Sequence, residues 1–446
     1  MIIKIVFATL LTLALFTAGY AQTLDKAKLD QFFDRLAEKN KAMGSLIIAK
    51  DGNFLYTRAI GYSQINETEK KPLTAANRFR IGSITKMFTA AMIFQLVEAG
   101  KLKLTDTLDK FFPQIPNANK ITIAHILAHR SGIHDSILDR NLRPSSNTNS
   151  ITKDEMLALI AKGKPDFEPD AKHSYSNSGY ILLGLILEKL TGKPYGEALK
   201  ERITSKIGLK DTYTATGSID VNKNESLTYF KSGGDWKQGP ETHPSLLFSA
   251  GAIVSTPNDL AKFIQALFDL KLISQESLAS VKTIRDGDGL GMETFTFAGK
   301  TFYGHTGGGD NYGAWLAYLP EEKLALAYTT NAKVYPVVNI VRGVIDIYYN
   351  KPFQIPSFES IAVSPEVLDK YVGVYSSPEV PVKFTITREG STLFVRPGGQ
   401  SAAPLEATAQ DKYEIEGAGV VFEFDAAKNQ MIQKRGGRER VFTKEK

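Results

Sequence analysis

The chain has 446 residues, more than one hydrophobic core usually serves, so at least two domains are expected. Hydrophobic residues at 43% and charged residues at 23% match an ordinary soluble globular protein. The net charge of +6 is diffuse, without a long Lys/Arg block; this argues against nucleic-acid binding and leaves at most a mild preference for anionic surfaces. With no cysteine, disulfides, zinc–thiolate sites and a cysteine nucleophile are ruled out.

Residues 1–21 read as a secretory signal peptide: Lys4 supplies the positive start, Ile5 to Ala18 the apolar stretch, and Gly19-Tyr20-Ala21 the small residues before cleavage. The apolar run is short for a membrane anchor, so no stable span is expected after cleavage, and a periplasmic or secreted bacterial location follows. Leu29, Phe32, Phe33 and Leu36 have the spacing of an amphipathic helix. Ser45 to Lys50 and Asn53 to Ile60 are strand-like and meet at Asp51-Gly52, a strong hairpin signal. An apolar helix opens at Ser83 (Met87, Ala90, Ala91, Phe94) and closes at Gly100. From there to about Thr214 the pattern is mostly helical, with Leu183, Ile186, Leu187 and Leu190 on one stripe. Strand patterns return near Thr301 to Gly304, Tyr312 to Leu319 and Leu324 to Thr330, so a sheet built from both ends of residues 22–350 should enclose a helical insertion, with a pocket between them. Pro352, Pro356 and Pro365 mark a linker over 351–368. In 369–446, alternation such as Val382, Phe384 and Ile386 against Lys383, Thr385 and Thr387 predicts a small antiparallel β domain, with turns at Glu389-Gly390 and Gly436-Gly437.

Ser83 and Lys86 lie three residues apart at a helix start, which places a hydroxyl and an amine on one face. A serine hydroxyl becomes nucleophilic when a base takes its proton, and a desolvated, neutral lysine is such a base. Alone, Ser-x-x-Lys is weak, because an N-cap serine followed by a surface lysine gives the same letters. Order along the chain adds weight: Tyr175-Ser176-Asn177 follows, then His305-Thr306-Gly307.

Those elements resemble the serine β-lactamase and penicillin-binding protein family, in its Tyr-x-Asn branch with class C β-lactamases, D-alanyl-D-alanine carboxypeptidases, D-aminopeptidases and related esterases. Arg80 to Lys86, Ile123 to Gly132, Tyr175 to Tyr180 and Ser249 to Asp259 share the likeness, which covers roughly residues 25 to 350. The C-terminal segment resembles the lipocalin-like module of some members. The resemblance implies an α/β fold, an antiparallel sheet flanked by helices with an all-helical lobe, followed by a barrel-like β domain. It also implies catalysis through a Ser83 acyl-enzyme, with Lys86 as proton acceptor or field source. Tyr175 becomes the partner base and later the acid, needing cationic neighbours such as Lys86 and His305 to ionise. Asn177 is placed to bond Lys86 and a substrate amide, although an asparagine capping the next helix is the rival reading. Thr306 and Gly308 fall on the substrate and oxyanion side, the Gly308 N–H completing an oxyanion hole with that of Ser83. His305 stands where many relatives carry lysine; it weakens the fixed positive charge for a substrate carboxylate and argues against strong β-lactamase or carboxypeptidase activity.

Competing signals are weaker. There is no Gly-x-Ser-x-Gly elbow, and phosphate-loop and dinucleotide fingerprints are absent, so no cofactor is expected. His125, His129 and His134 lack the glutamate of a zincin helix, so no metal site is expected. Lys189-Leu-Thr-Gly192 ends an apolar helix as an ordinary C-cap. The expected function is an exported serine hydrolase acting on small esters, amides or D-amino-acid peptides, with cell-wall-derived molecules among the candidate substrates. A carboxypeptidase or class C-like β-lactamase is the alternative within enzymes, and a non-catalytic sensor or binding protein the alternative outside them.

Overall fold

The structure is a computed structural model that describes residues 24–139, 148–232, 235–398, 402–415, 420–435 and 438–445. The signal-like segment 1–21 and the Gly436-Gly437 turn therefore lie outside the described residues, as does most of 141–150.

Helix α1 (Lys26–Glu38) buries Leu29, Phe32, Phe33 and Leu36, the stripe its spacing predicts. Strands β1 (Ala42–Lys50) and β2 (Asn53–Ile60) form a hairpin whose Asp51 and Gly52 both take positive φ, 48° and 79°, as a tight Asp-Gly turn requires. Helix α2 (Thr85–Glu98) is buried on nearly every face, which explains its lack of amphipathic patterning. Helix α3 (Asn177–Thr191) is capped by the Ser176 side chain, which accepts from the Gly179 N–H, and closes on Gly192 in the left-handed conformation. Helix α4 (Pro257–Phe268) starts at the Thr256 cap. Strands β3 (Glu293–Phe297), β4 (Lys300–Gly308), β5 (Gly313–Leu319) and β6 (Leu324–Lys333) complete the sheet, and helix α5 (Val337–Tyr348) follows.

The six strands run in the order β3-β4-β5-β6-β1-β2, all antiparallel, so chain ends distant in sequence meet at the β1/β6 ladder, for example Ile47 opposite Ala327. Leu46, Ile48 and Leu326 pack on α1 and α5 on one face, while Ile47, Ala49 and Ala327 join the core of α2 and α4 on the other. Between α2 and β3 lies the helical lobe. It is less helical than the sequence pattern suggests: among the described residues, Lys153–Lys162 and α3 are separated by irregular chain over 163–176 that holds Gly163, Pro165 and Pro169, residues that free or restrict the backbone. β3 and the short pairs Phe79–Arg80 with Ile253–Ser255 and Tyr229–Ser232 with Asp235–Gln238 were not among the expected strands; the pairs are too short or too polar to show a period, and the alternation in β3 spans only Phe295 and Phe297.

After α5 the chain stays docked: Phe353 meets Phe32 edge-on at 5.0 Å and Phe358 meets Tyr335 at the same centroid distance. Eight strands between Gly373 and Lys444 then close into an antiparallel barrel. Its interior is filled by side chains, Tyr375, Phe384, Ile386, Phe422, Phe424, Met431 and Phe442 among them, as in small closed barrels. No helix among the described residues is long and apolar enough to cross a membrane.

Candidate active site

Ser83 sits in a short 3-10 turn, Gly82–Ile84, directly before α2. That turn presses on the end of β4. Gly82 has φ +52°, and a Cβ there would lie 2.5 Å from the Gly308 nitrogen; one on Gly307 would lie 1.9 Å from the Ile81 carbonyl oxygen. Only glycine permits that approach, which brings the Ser83 and Gly308 backbones to one wall of a cleft. Gly308 is thus fixed by close packing and is not a slack loop residue.

One turn after Ser83, at the start of α2, the Lys86 side chain is fully buried. Its ammonium nitrogen is 3.1 Å from Ser83 Oγ, 2.8 Å from Asn177 Oδ1 and 2.9 Å from the Ala250 carbonyl oxygen. Burial pushes its pKa down to about 7, against the opposing pull of Asp135, Glu293 and Asp288. The lysine is therefore available as a neutral amine near neutral pH. Asn177 does not cap α3, since Ser176 does; its amide nitrogen donates to Asp135 Oδ2 at 2.9 Å, which turns its oxygen toward Lys86. The backbone N–H of Asn177 bonds the same carboxylate oxygen at 3.2 Å.

Tyr175 lies beside this pair, with Lys86 Nζ 4.7 Å from its ring centroid. Burial pushes the phenol well above its ordinary range, and its hydrogen bond with Ser83 opposes the shift only in part. Its cationic neighbours are weakened, because burial lowers the pKa of both Lys86 and His305. His305 is 3% exposed, and burial lowers its pKa despite Glu293 nearby. Its Nδ1–H donates to the Thr306 carbonyl oxygen at 2.5 Å. The rings of Tyr175 and His305 are 6.4 Å apart. Thr306 is turned away from a ligand, because its N–H and hydroxyl both donate to Glu293 Oε2, at 3.0 and 3.2 Å.

Ser83, Lys86, Tyr175, Asn177 and Gly308 thus converge, with His305 and Thr306 just behind. Sequence reasoning missed Asp135, whose Oδ1 is buried with no hydrogen-bond partner among the described residues, and Glu293 on the edge strand. It also missed the Ala250 carbonyl as a partner for Lys86, although the surrounding run Ser249 to Asp259 carried the family likeness. Asp135 and Glu293 reach the site only through tertiary contact, so no local spacing marks them. His129 stacks on Tyr175 with centroids 4.2 Å apart and is held neutral by burial. His125 closes a capping box with Thr122, and His134 bonds Asp139 and Asp166. The three histidines therefore have separate duties. The cleft itself has a volume of about 410 Å³ and is walled by Ile137, Leu138, Leu246, Leu247 and Tyr312.

An antiparallel sheet with a helical lobe, and a serine–lysine pair at the head of the central helix, define a serine hydrolase of the β-lactamase type. The Beta-lactamase family model matches residues 29–345, and the chain belongs to that family. Penicillin-binding protein 4* of Bacillus subtilis (strain 168) is 26% identical over 92% of this chain and 97% of its own. Among solved structures, D-amino acid amidase from Ochrobactrum anthropi SV3 superimposes with a TM-score of 0.65 at 27% identity, covering 73% of this chain and 98% of that one. The octameric penicillin-binding protein homologue from Pyrococcus abyssi aligns over 94% of this chain and all of its own, with a TM-score of 0.66 and 26% identity.

Proposed function

We propose that this protein is an exported hydrolase that cleaves small esters, amides or D-amino-acid peptides through an acyl-enzyme on Ser83. The observation that carries the reading is the buried Lys86 amine 3.1 Å from Ser83 Oγ, since a desolvated lysine has little structural use and direct chemical use. Ser83 Oγ attacks the substrate carbonyl carbon while its proton passes to Lys86. The oxyanion is held by the N–H groups of Ser83 and Gly308. Tyr175, kept protonated by burial, gives its proton to the leaving group and is re-protonated from Lys86. Water then attacks the Ser83 ester, releasing the acid and restoring the hydroxyl. Asn177 orients the amine and bonds the substrate amide, and His305 with Thr306 supports the Tyr175 side of the site.

Amide and D-amino-acid substrates are favoured by the likeness to a D-amino acid amidase, and a cell-wall origin by the likeness to a penicillin-binding protein. Carboxypeptidase or β-lactamase action is the second reading, disfavoured by neutral His305 in the place of a lysine. The test is intact-mass analysis of the purified chain with a fluorophosphonate, esters, β-lactams and D-peptides. An adduct on Ser83 is expected with the fluorophosphonate and with at least one substrate class. A fluorophosphonate adduct mapped to another serine, or none at all, overturns the assignment and favours a non-catalytic binding protein.

A further inference from the structure

Among the described residues lining the catalytic cleft, Asp310 is the only one with a formal charge; the other walls are apolar, hydroxyl, amide or glycine. It stands two residues beyond Gly308, so it shares a wall with the proposed oxyanion donor. Its position is set rather than casual: the Thr242 N–H and hydroxyl both donate to Oδ2, at 2.9 and 2.8 Å, which leaves Oδ1 to accept from a ligand.

The cations around the cleft lie outside its lining, and each makes at least one bond within the protein. All three Lys86 contacts are made within the protein, with Ser83, Asn177 and Ala250. The Thr306 N–H and hydroxyl are spent on Glu293, itself a carboxylate. Arg80, in the annex beside the cleft, donates to the Gly217 carbonyl at 2.8 Å and lies 3.5 Å from Glu225. Lys333 interacts electrostatically with Asp310, but its ammonium bonds the Gly309 carbonyl at 2.9 Å and it does not line the cleft. A carboxylate-bearing substrate would meet Asp310 in a cleft whose lining carries no cation among the described residues, whereas an ammonium would meet a carboxylate with an open oxygen.

We propose that the cleft selects substrates carrying an ammonium group over those carrying a carboxylate, and that Asp310 is the counter-charge that contacts the cation. The inference rests on the hydrolase reading above and narrows it to aminoacyl amides and esters. Because Asp310 is solvent-exposed, the preference is modest and salt-sensitive.

The test uses the full chain and three matched substrates: alanyl p-nitroanilide with a free amine, its N-acetyl form and its N-succinyl form, each as both enantiomers. The expected order of kcat/KM is free amine above acetyl above succinyl, with roughly three- to fivefold between neighbours for an exposed ion pair. The free-amine to succinyl ratio should shrink as ionic strength rises in the wild type, and should collapse in Asp310→Asn while Asp310→Glu retains it. Should the Asp310 variants misfold, the salt dependence of the unmodified chain still decides. Equal turnover of all three substrates, or a succinyl preference, overturns the charge inference alone. Refusal of all three with Ser83 still labelled by fluorophosphonate overturns it too, and refusal without labelling overturns the hydrolase reading as well.

Discussion

The two cores of this molecule bury different things. Beneath the cleft lie a lysine and two histidines, with Asn177, Asp135 and Glu293 against them; the barrel interior holds Tyr375, Phe384, Phe422, Phe424, Met431 and Phe442. Burying ionisable groups costs stability even when they are bonded, while burying aromatic rings adds it. The lobe around Ser83 therefore accepts a stability penalty that the barrel does not, and such a penalty persists where chemistry needs it. Among the described residues the barrel shows no comparable buried cluster, and its interior is packed with apolar and aromatic side chains.

Substitutions of like kind in the two cores should have opposite readouts, and the largest effect is expected at the nucleophile. Ser83→Ala should cut kcat by about 10⁵-fold or more, because removal of a nucleophile leaves only binding and oxyanion contributions. Its thermal midpoint should stay near wild type by scanning calorimetry; residual turnover above a hundredth of wild type sinks the assignment. Next in size, Lys86→Met and Tyr175→Phe should each cost roughly 10³-fold, and the double variant little more than the worse single one, since groups that act as a unit are non-additive. Losses that simply multiply would show two independent roles. Lys86→Met should also leave stability within about 1 kcal/mol of wild type, because relief of lysine desolvation offsets the lost hydrogen bonds.

In the barrel the pattern inverts. Phe422→Ala should cost ~3–5 kcal/mol of unfolding free energy, the range for deleting a buried aromatic, yet leave fluorophosphonate labelling of Ser83 at its wild-type rate. Slower labelling would show that the barrel feeds the site. The pH dependence gives a smaller, graded effect. Lys86 acts as a base only when neutral and its pKa is lowered to about 7, so kcat/KM on an uncharged ester should fall about tenfold per unit below pH 7 and level off above it. A profile flat between pH 5 and 8 would remove Lys86 as the base. The smallest effect is expected from His305→Lys: a shift of about 1 kcal/mol toward free-acid substrates over neutral esters, visible chiefly in KM. No change in that ratio would show that His305 does not govern selectivity.

Much of this organisation is legible in the linear sequence where the determinants are local. The period of Leu29, Phe32, Phe33 and Leu36 sets α1, Asp51-Gly52 sets the first hairpin, and strand alternation after Tyr371 sets the barrel. Ser83 and Lys86 are likewise joined by a single turn of chain, so their contact follows from spacing alone. The extent of helix in the lobe and the edge strand β3 were not legible, because short, polar or Gly- and Pro-interrupted segments take their conformation from neighbours.

What folding alone decided is the state of each group in the site. Burial, a property of the whole packing, lowers the pKa of Lys86 to about 7, pushes that of the Tyr175 phenol up and lowers that of His305. The partners that orient them, Asp135, Ala250 and Glu293, arrive from distant stretches of the chain. Sequence determined which chemical groups are present and which lie one turn apart; tertiary packing determined their charge and their partners, because desolvation and long-range contact have no period along a chain.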